Sequence, residues 1–182
     1  RHPDFFLLAE VYWDLEWTLQ QQGFDACYDK RLYDRLCHGD APAIRAHLGA
    51  GLDYQDRLAR FLENHDEPRA AAVFPFDRHR AAAVVTYLGP GLRFLHQGQL
   101  EGRRVRVSPH LVRAPEEPVD PALASFYADL LTTLRLPVVR EGEWCLVGSR
   151  PAWEGNPTFT DLLGMAWSGR DGTRLLVAVN LS

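Results

Sequence analysis

Arg60-Phe61-Leu62-Glu63-Asn64-His65-Asp66-Glu67-Pro68-Arg69 decides the reading of this chain, because an apolar run stops abruptly in carboxylates, an imidazole and a guanidinium. A buried strand that hands its chain to a chemistry-bearing loop reads this way. Toward the N-terminus, Phe5-Phe6-Leu7-Leu8-Ala9-Glu10-Val11-Tyr12-Trp13 repeats the arrangement, with Glu10 set in apolar and aromatic surroundings. Glu10 and Asp66 are thereby placed at the exits of two separate strands. The unbroken apolar run from Phe5 to Tyr12 predicts a parallel strand buried on both faces.

Working outward, helices fill the intervals. Asp14 to Gln22 predicts a short helix closed by Gly23, and Phe24 to Tyr28 a second strand. Asp29 is placed to cap a helix over Lys30 to Cys37, which Gly39 ends. Two helical stretches, Pro42 to Leu48 and Tyr54 to Leu58, precede a third strand over Ala59 to Leu62. A helix from near Asp77, rich in alanine and valine, runs to Gly89-Pro90-Gly91, and Leu92 to Leu95 makes a fourth strand. Asp120-Pro121 opens a long helix with Leu123, Phe126, Tyr127, Leu130, Leu131 and Leu134 at helical spacing. Alternation of this kind implies a parallel sheet with helical crossovers, hence an α/β fold.

From Val138 the texture changes. Trp144 to Val147, Leu162 to Trp167 and Leu175 to Val179 read as strands without helices between them, and Gly169-Arg170-Asp171-Gly172 as a hairpin turn. The division expected is therefore residues 1–137 as the α/β part and 138–182 as an antiparallel β domain resembling a sandwich.

Composition narrows the function classes. The chain has 182 residues, 46% hydrophobic and 24% charged, with a formal net charge of −4. A phosphate-tracking surface needs a basic face, and the longest basic run, Arg103-Arg104-Val105-Arg106, is too short to make one, so nucleic acid is not expected as a partner. No apolar run approaches the ~18 residues of a membrane span, and none resembles a signal peptide, so no membrane partner is expected and the compartment stays unassigned. Cys27, Cys37 and Cys145 lack paired or metal-binding spacing, and the histidines are scattered, so neither a disulfide framework nor a metal site is expected.

Two carboxyl groups at strand exits suit acid/base chemistry. Cleavage of a glycosidic bond with retention uses one carboxylic acid to protonate the leaving oxygen and a carboxylate about 5 Å away to attack the anomeric carbon. A further carboxylate can stabilise the positive charge that develops on the sugar. Glu10, with apolar and aromatic flanks, suits the acid. The plainer account makes Glu10 a structural carboxylate and Asp66 with Arg69 a loop ion pair; the residues leave both open.

Phe61-Leu62-Glu63-Asn64-His65-Asp66 resembles the seventh-strand signature, F-x-x-N-H-D, of the α-amylase family of glycoside hydrolases. Leu7-Leu8-Ala9-Glu10 is similar to that family's fifth-strand signature, and Gly89 to Gly102 to its eighth-strand region, in the family's order. The resemblance implies the C-terminal half, strands five to eight, of a TIM (β/α)8 barrel, followed by the family's β domain. It implies Glu10 as general acid/base, Asp66 as the transition-state-stabilising carboxylate, and His65 as a donor to sugar hydroxyls. Arg69 would bind substrate and tie the loop together, and Tyr12 and Trp13 would stack on sugar faces. The partner implied is an α-glucan oligosaccharide or polysaccharide. No cofactor is implied beyond a structural calcium that many members bind, largely through their N-terminal portion.

Two departures from the family pattern shape the expectation. Leu100 stands where many relatives carry the glutamate of G-x-E-x-G. No G-x-R-x-D segment, which holds the family's nucleophilic aspartate, precedes Glu10. The chain is therefore expected to be a piece that is inactive alone, completed by the N-terminal half of the barrel or by another copy. Hydrolase and transglycosylase are both compatible with these residues, and the alternative from another class is a non-catalytic carbohydrate-binding relative.

Overall fold

The computed structural model of the chain describes residue 2 and residues 4–182. Four short strands, β1 (Leu8–Ala9), β2 (Ala26–Tyr28), β3 (Leu58–Arg60) and β4 (Leu92–Arg93), form a parallel sheet in chain order. Helix α1 (Glu16–Gln21) joins β1 to β2; α2 (Lys30–His38), α3 (Ala41–Leu48) and α4 (Leu52–Gln55) join β2 to β3. Between β3 and β4 lie α5 (Ala70–Val73) and α6 (Phe76–Leu88), and α7 (Pro121–Leu134) and α8 (Pro137–Arg140) follow. Each strand neighbours the next in sequence, the progression by which successive βα units build a barrel wall.

Local chemistry sets several boundaries. Asp29 accepts a hydrogen bond from the Leu32 amide, Asp40 from that of Ala43, and Asp120 from those of Ala122 and Leu123, so each satisfies amides that a helix start leaves free. The Gly89-Pro90-Gly91 turn passes close beneath β3: Gly91 has φ +104°, and a Cβ there would stand 2.4 Å from the Leu58 carbonyl oxygen. Only glycine fits that approach.

The N-terminal run departs from the expected fully buried strand. Only Leu8–Ala9 pairs, and Phe5 and Phe6 are 68% and 56% exposed. The reason is placement: β1 is an edge strand, hydrogen-bonded on one side to β2. Helix α1 also starts later than expected, because Trp13 and Asp14, at φ 61° and 66°, form a left-handed turn ahead of it.

Strands β5 (Glu143–Val147), β6 (Leu162–Ser168) and β7 (Arg174–Asn180) form a three-stranded antiparallel sheet. The turn expected between β6 and β7 is present, closed by the Gly169 amide donating to the Thr173 carbonyl at 2.8 Å. Alternate residues Leu163, Met165 and Trp167 point inward and join one apolar core with Leu36, Ile44 and Leu48 of α2 and α3, Val85 of α6, and Tyr127 and Leu130 of α7. The Trp167 indole N–H donates to the Leu88 carbonyl at 2.8 Å, tying this sheet to the end of α6. Among the described residues, no helix is long and apolar enough to cross a membrane.

Candidate active site

The segment after β3 is built by an internal division of labour. Arg60 is wholly buried and pairs with Asp29, the cap of α2, while its Nε donates to the Pro90 carbonyl at 2.9 Å. Burial alone would push the Asp29 carboxyl up, but Arg60 and His47 hold it below its ordinary range. Phe61 turns into an aromatic cluster with Tyr28, Tyr33 and Phe94. Glu63 is buried and receives Arg69 Nη1 at 2.6 Å and the Ala70 amide at 2.7 Å.

Asn64 makes the turn. Its buried side-chain oxygen accepts the amides of Asp66 at 2.9 Å and Glu67 at 2.8 Å, bending the chain so that His65 and Asp66 stand at its outer corner. There they meet Glu10 from the exit of β1: His65 Nε2 lies 3.4 Å from the Glu10 carboxylate and 3.6 Å from that of Asp66. One polar atom of each of Glu10, His65 and Asp66 lies within 4.8 Å of the other two. Residues 55 or more positions apart in sequence are thus brought to one point by parallel pairing of β1, β2 and β3.

Tyr12 donates its hydroxyl to Glu10 Oε1 at 3.1 Å. Burial, and then the negative charge of Glu10, push this phenol well above its ordinary value, so it remains a proton donor to the carboxylate. Trp13, 86% exposed, packs edge-on against Tyr12 with ring centroids 5.8 Å apart. Its free face is accessible to a flat apolar ligand surface. Glu10 itself is exposed rather than enclosed by its apolar flanks: Leu8 and Trp13 point to solvent, and Ala9 and Val11 point into the sheet.

Arg69 lies elsewhere. It is 4% exposed, and besides Glu63 its guanidinium donates to the Gln97 carbonyl at 2.7 Å and the Val105 carbonyl at 3.3 Å, and it meets His96 Nδ1 at 2.9 Å. These contacts fasten the β3 loop to the segment after β4 and leave the guanidinium closed to a ligand. Of the two roles expected of Arg69, tying the loop is the one these contacts serve.

Two features of the site are absent from the sequence reading. Arg106, part of the short basic run, lies 4.0 Å from Asp66. Its approach is set by Glu117, whose carboxylate accepts the amides of Arg104 at 2.8 Å and Val105 at 3.2 Å. Lys30 stands 3.3 Å from Glu67, the residue after Asp66.

Chemically, the arrangement offers an exposed carboxyl that can give and take a proton, a second carboxylate that can face developing positive charge, and an imidazole between them. As a cation site it is poor, since calcium takes about six to eight oxygen ligands and the cluster supplies two carboxylates and an imidazole open to solvent.

No family model and no curated protein sequence matches the chain. Several solved structures resemble it closely in shape. A noncanonic maltogenic α-amylase from Thermotoga neapolitana superposes over 98% of the chain with a TM-score of 0.74 at 18% identity. An α-amylase from Geobacillus thermoleovorans, complexed with acarbose, covers 100% at a TM-score of 0.74 and 20% identity. A cyclic α-maltosyl-(1→6)-maltose hydrolase from Arthrobacter globiformis, complexed with its cyclic substrate, covers 97% at a TM-score of 0.74 and 17% identity. The chain spans 42%, 43% and 42% of the lengths of these structures, respectively. The chain therefore has the fold of part of the α-amylase-type glycoside hydrolases.

Proposed function

We propose that this chain supplies the acid/base side of a retaining enzyme of the α-amylase type, acting on α-glucosidic bonds of oligo- or polysaccharides. The observation that carries the proposal is the convergence of Glu10, His65 and Asp66 at the strand exits of a sheet shaped like those enzymes. In this reading Glu10, hydrogen-bonded by Tyr12, protonates the departing glycosidic oxygen and later deprotonates the incoming hydroxyl. Asp66 faces the oxocarbenium-like charge on the sugar ring, and His65 donates to ring hydroxyls. Trp13 offers a stacking face, and Arg69 with Glu63 holds the loop.

The attacking carboxylate comes from a further strand that pairs with the open edge of β1. The four strands here correspond to strands five to eight of the barrel, and the complement is the N-terminal half. Residues 138–182 form the β domain that follows. No metal or organic cofactor takes part in the chemistry assigned to these residues.

The test is cleavage of maltooligosaccharides and starch by the full-length protein and its Glu10→Gln and Asp66→Asn variants. Each substitution is expected to lower kcat by about 100-fold or more, the range in which general acid catalysis and charge stabilisation operate. Unchanged turnover in both variants, or oligosaccharide binding with no cleavage or transfer by the parent, would overturn the assignment. Product analysis with a sugar acceptor present separates hydrolysis from glycosyl transfer.

A further inference from the structure

Strand alternation brings one further polar group to the candidate site. The parallel ladders pair Ala9 with Cys27 and Tyr28 with Ala59. Side chains alternate along each strand, so Tyr28, Ala59 and Phe61 share the face that Glu10 enters from β1. Asp29 and Arg60 take the opposite face, where they meet each other and Asp29 meets His47 of α3. Tyr28 is the last residue of β2, so its side chain reaches the shared face at the end of the sheet from which Glu10 and the corner of His65 and Asp66 project.

The surroundings fix the Tyr28 ring and leave its hydroxyl unused. Phe61 and Phe94 stand against it with ring centroids 5.2 Å and 5.5 Å away, and the residue is 7% exposed. Among the described residues the hydroxyl makes no hydrogen bond, and it is not sealed from solvent. Tyr87 and Tyr127, also buried, behave as enclosed phenols usually do: Tyr87 donates to the Phe94 carbonyl at 3.2 Å, and the two hydroxyls accept from Gln99 at 2.8 Å and 2.9 Å. Burial, and then the negative charges of Glu10 and Asp66, push the Tyr28 hydroxyl above its ordinary range, so it stays protonated and can donate. An anionic ligand would be repelled by the two carboxylates. A rigidly held neutral donor beside them suits a ligand that brings uncharged oxygens into the site.

We propose that Tyr28 contacts the substrate: its hydroxyl donates to one ring hydroxyl of the sugar lying between Glu10 and Asp66, and so selects for sugars that carry that hydroxyl. This rests on the α-glucan reading of the Glu10 cluster and adds to it a specificity-determining residue on β2. A site built to bond a substrate hydroxyl rejects an analogue that lacks it, because the protein group is then left unpaired.

The experiment measures kcat/KM of the full-length protein and its Tyr28→Phe variant on maltotriose and on the monodeoxy analogues of maltotriose, with Glu10→Gln as control. Tyr28→Phe keeps the packed ring and removes only the hydroxyl, so its urea midpoint is expected to equal that of the parent. On maltotriose its kcat/KM is expected to fall about tenfold, the equivalent of ~1.4 kcal/mol. The parent is expected to lose activity on the analogue that lacks the contacted hydroxyl, and on that analogue parent and variant become equal. Unchanged kcat/KM in Tyr28→Phe, or a loss of the same size on every analogue, overturns the contact; with Glu10→Gln inactive, either result leaves the acid/base assignment standing. A parent that cleaves no maltotriose overturns both.

Discussion

At the scale of single residues, most buried polar groups of this chain are satisfied in pairs, and the exceptions carry consequences. His79 is 1% exposed; Nε2 meets the Tyr127 hydroxyl at 2.8 Å, Nδ1 has no partner among the described residues, and burial lowers the ring's pKa to about 4. The folded protein therefore holds His79 neutral, whereas the unfolded chain protonates it near its ordinary value of ~6.5. The stability involved is fully present above the unfolded value, is lost progressively as pH falls from about 6.5 toward about 4, and changes no further below that. The loss amounts to at most ~3 kcal/mol over that window. Urea unfolding at pH 7, 6 and 5 measures it, and His79→Gln is expected to flatten the slope; equal slopes in parent and variant would remove His79 from the account. The candidate site follows the same residue logic. Glu10, His65 and Asp66 were legible because each sits within a few positions of a strand end. The fastenings were not: Glu63 with Arg69 faces inward, and Arg106 and Glu117 reach the site across loops that carry no periodic signal.

Elements show a similar split between what is written locally and what is decided by neighbours. The starts of α2 and α7 were readable from Asp29 and from Asp120-Pro121, since a cap and its amides lie within three residues of each other. Helices α5 and α8, four residues each, are too short to display a helical period, and the sequence reading passes over them. Strand lengths were overestimated because apolar runs report burial, not pairing: Ala59 to Leu62 is buried throughout, but the ladder with neighbouring strands ends at Arg60. Where a cap is local, its energy is local as well. Asp120→Ala leaves the Ala122 and Leu123 amides without their acceptor and is expected to cost about 1 kcal/mol. Because α7 supplies Leu123, Tyr127, Leu130 and Leu134 to the buried interior, the loss should appear as global destabilisation. A lowered denaturation midpoint with an unchanged denaturant slope is the expected result; a variant as stable as the parent would show that tertiary packing alone holds this start.

On the scale of the whole molecule, the antiparallel sheet and the helices share one core, but the parallel sheet is open at both ends. Strands β1 and β4 each pair on one side only, and beside β1 stand Phe5, Phe6, Leu7 and Leu8, exposed at 68%, 56%, 43% and 37%. Unpaired backbone bordered by exposed apolar side chains is a template for pairing with another chain. Natural edges are usually blunted by charge, proline or a covering loop, and the Phe5–Leu8 run has neither a charge nor a proline. The 182-residue chain on its own is therefore expected to self-associate through β1. Size-exclusion chromatography with light scattering should give a mass above 20.6 kDa that grows with concentration. Phe6→Lys with Leu8→Lys, which places charge along the exposed edge, should shift the distribution toward the monomer. Under the proposed function, a separately produced N-terminal barrel half would compete for the same edge and should replace self-association of the parental chain by a one-to-one complex. A parental chain that stays monomeric at every concentration would mean that the edge is protected in solution, and the completing half-barrel would lose its structural argument.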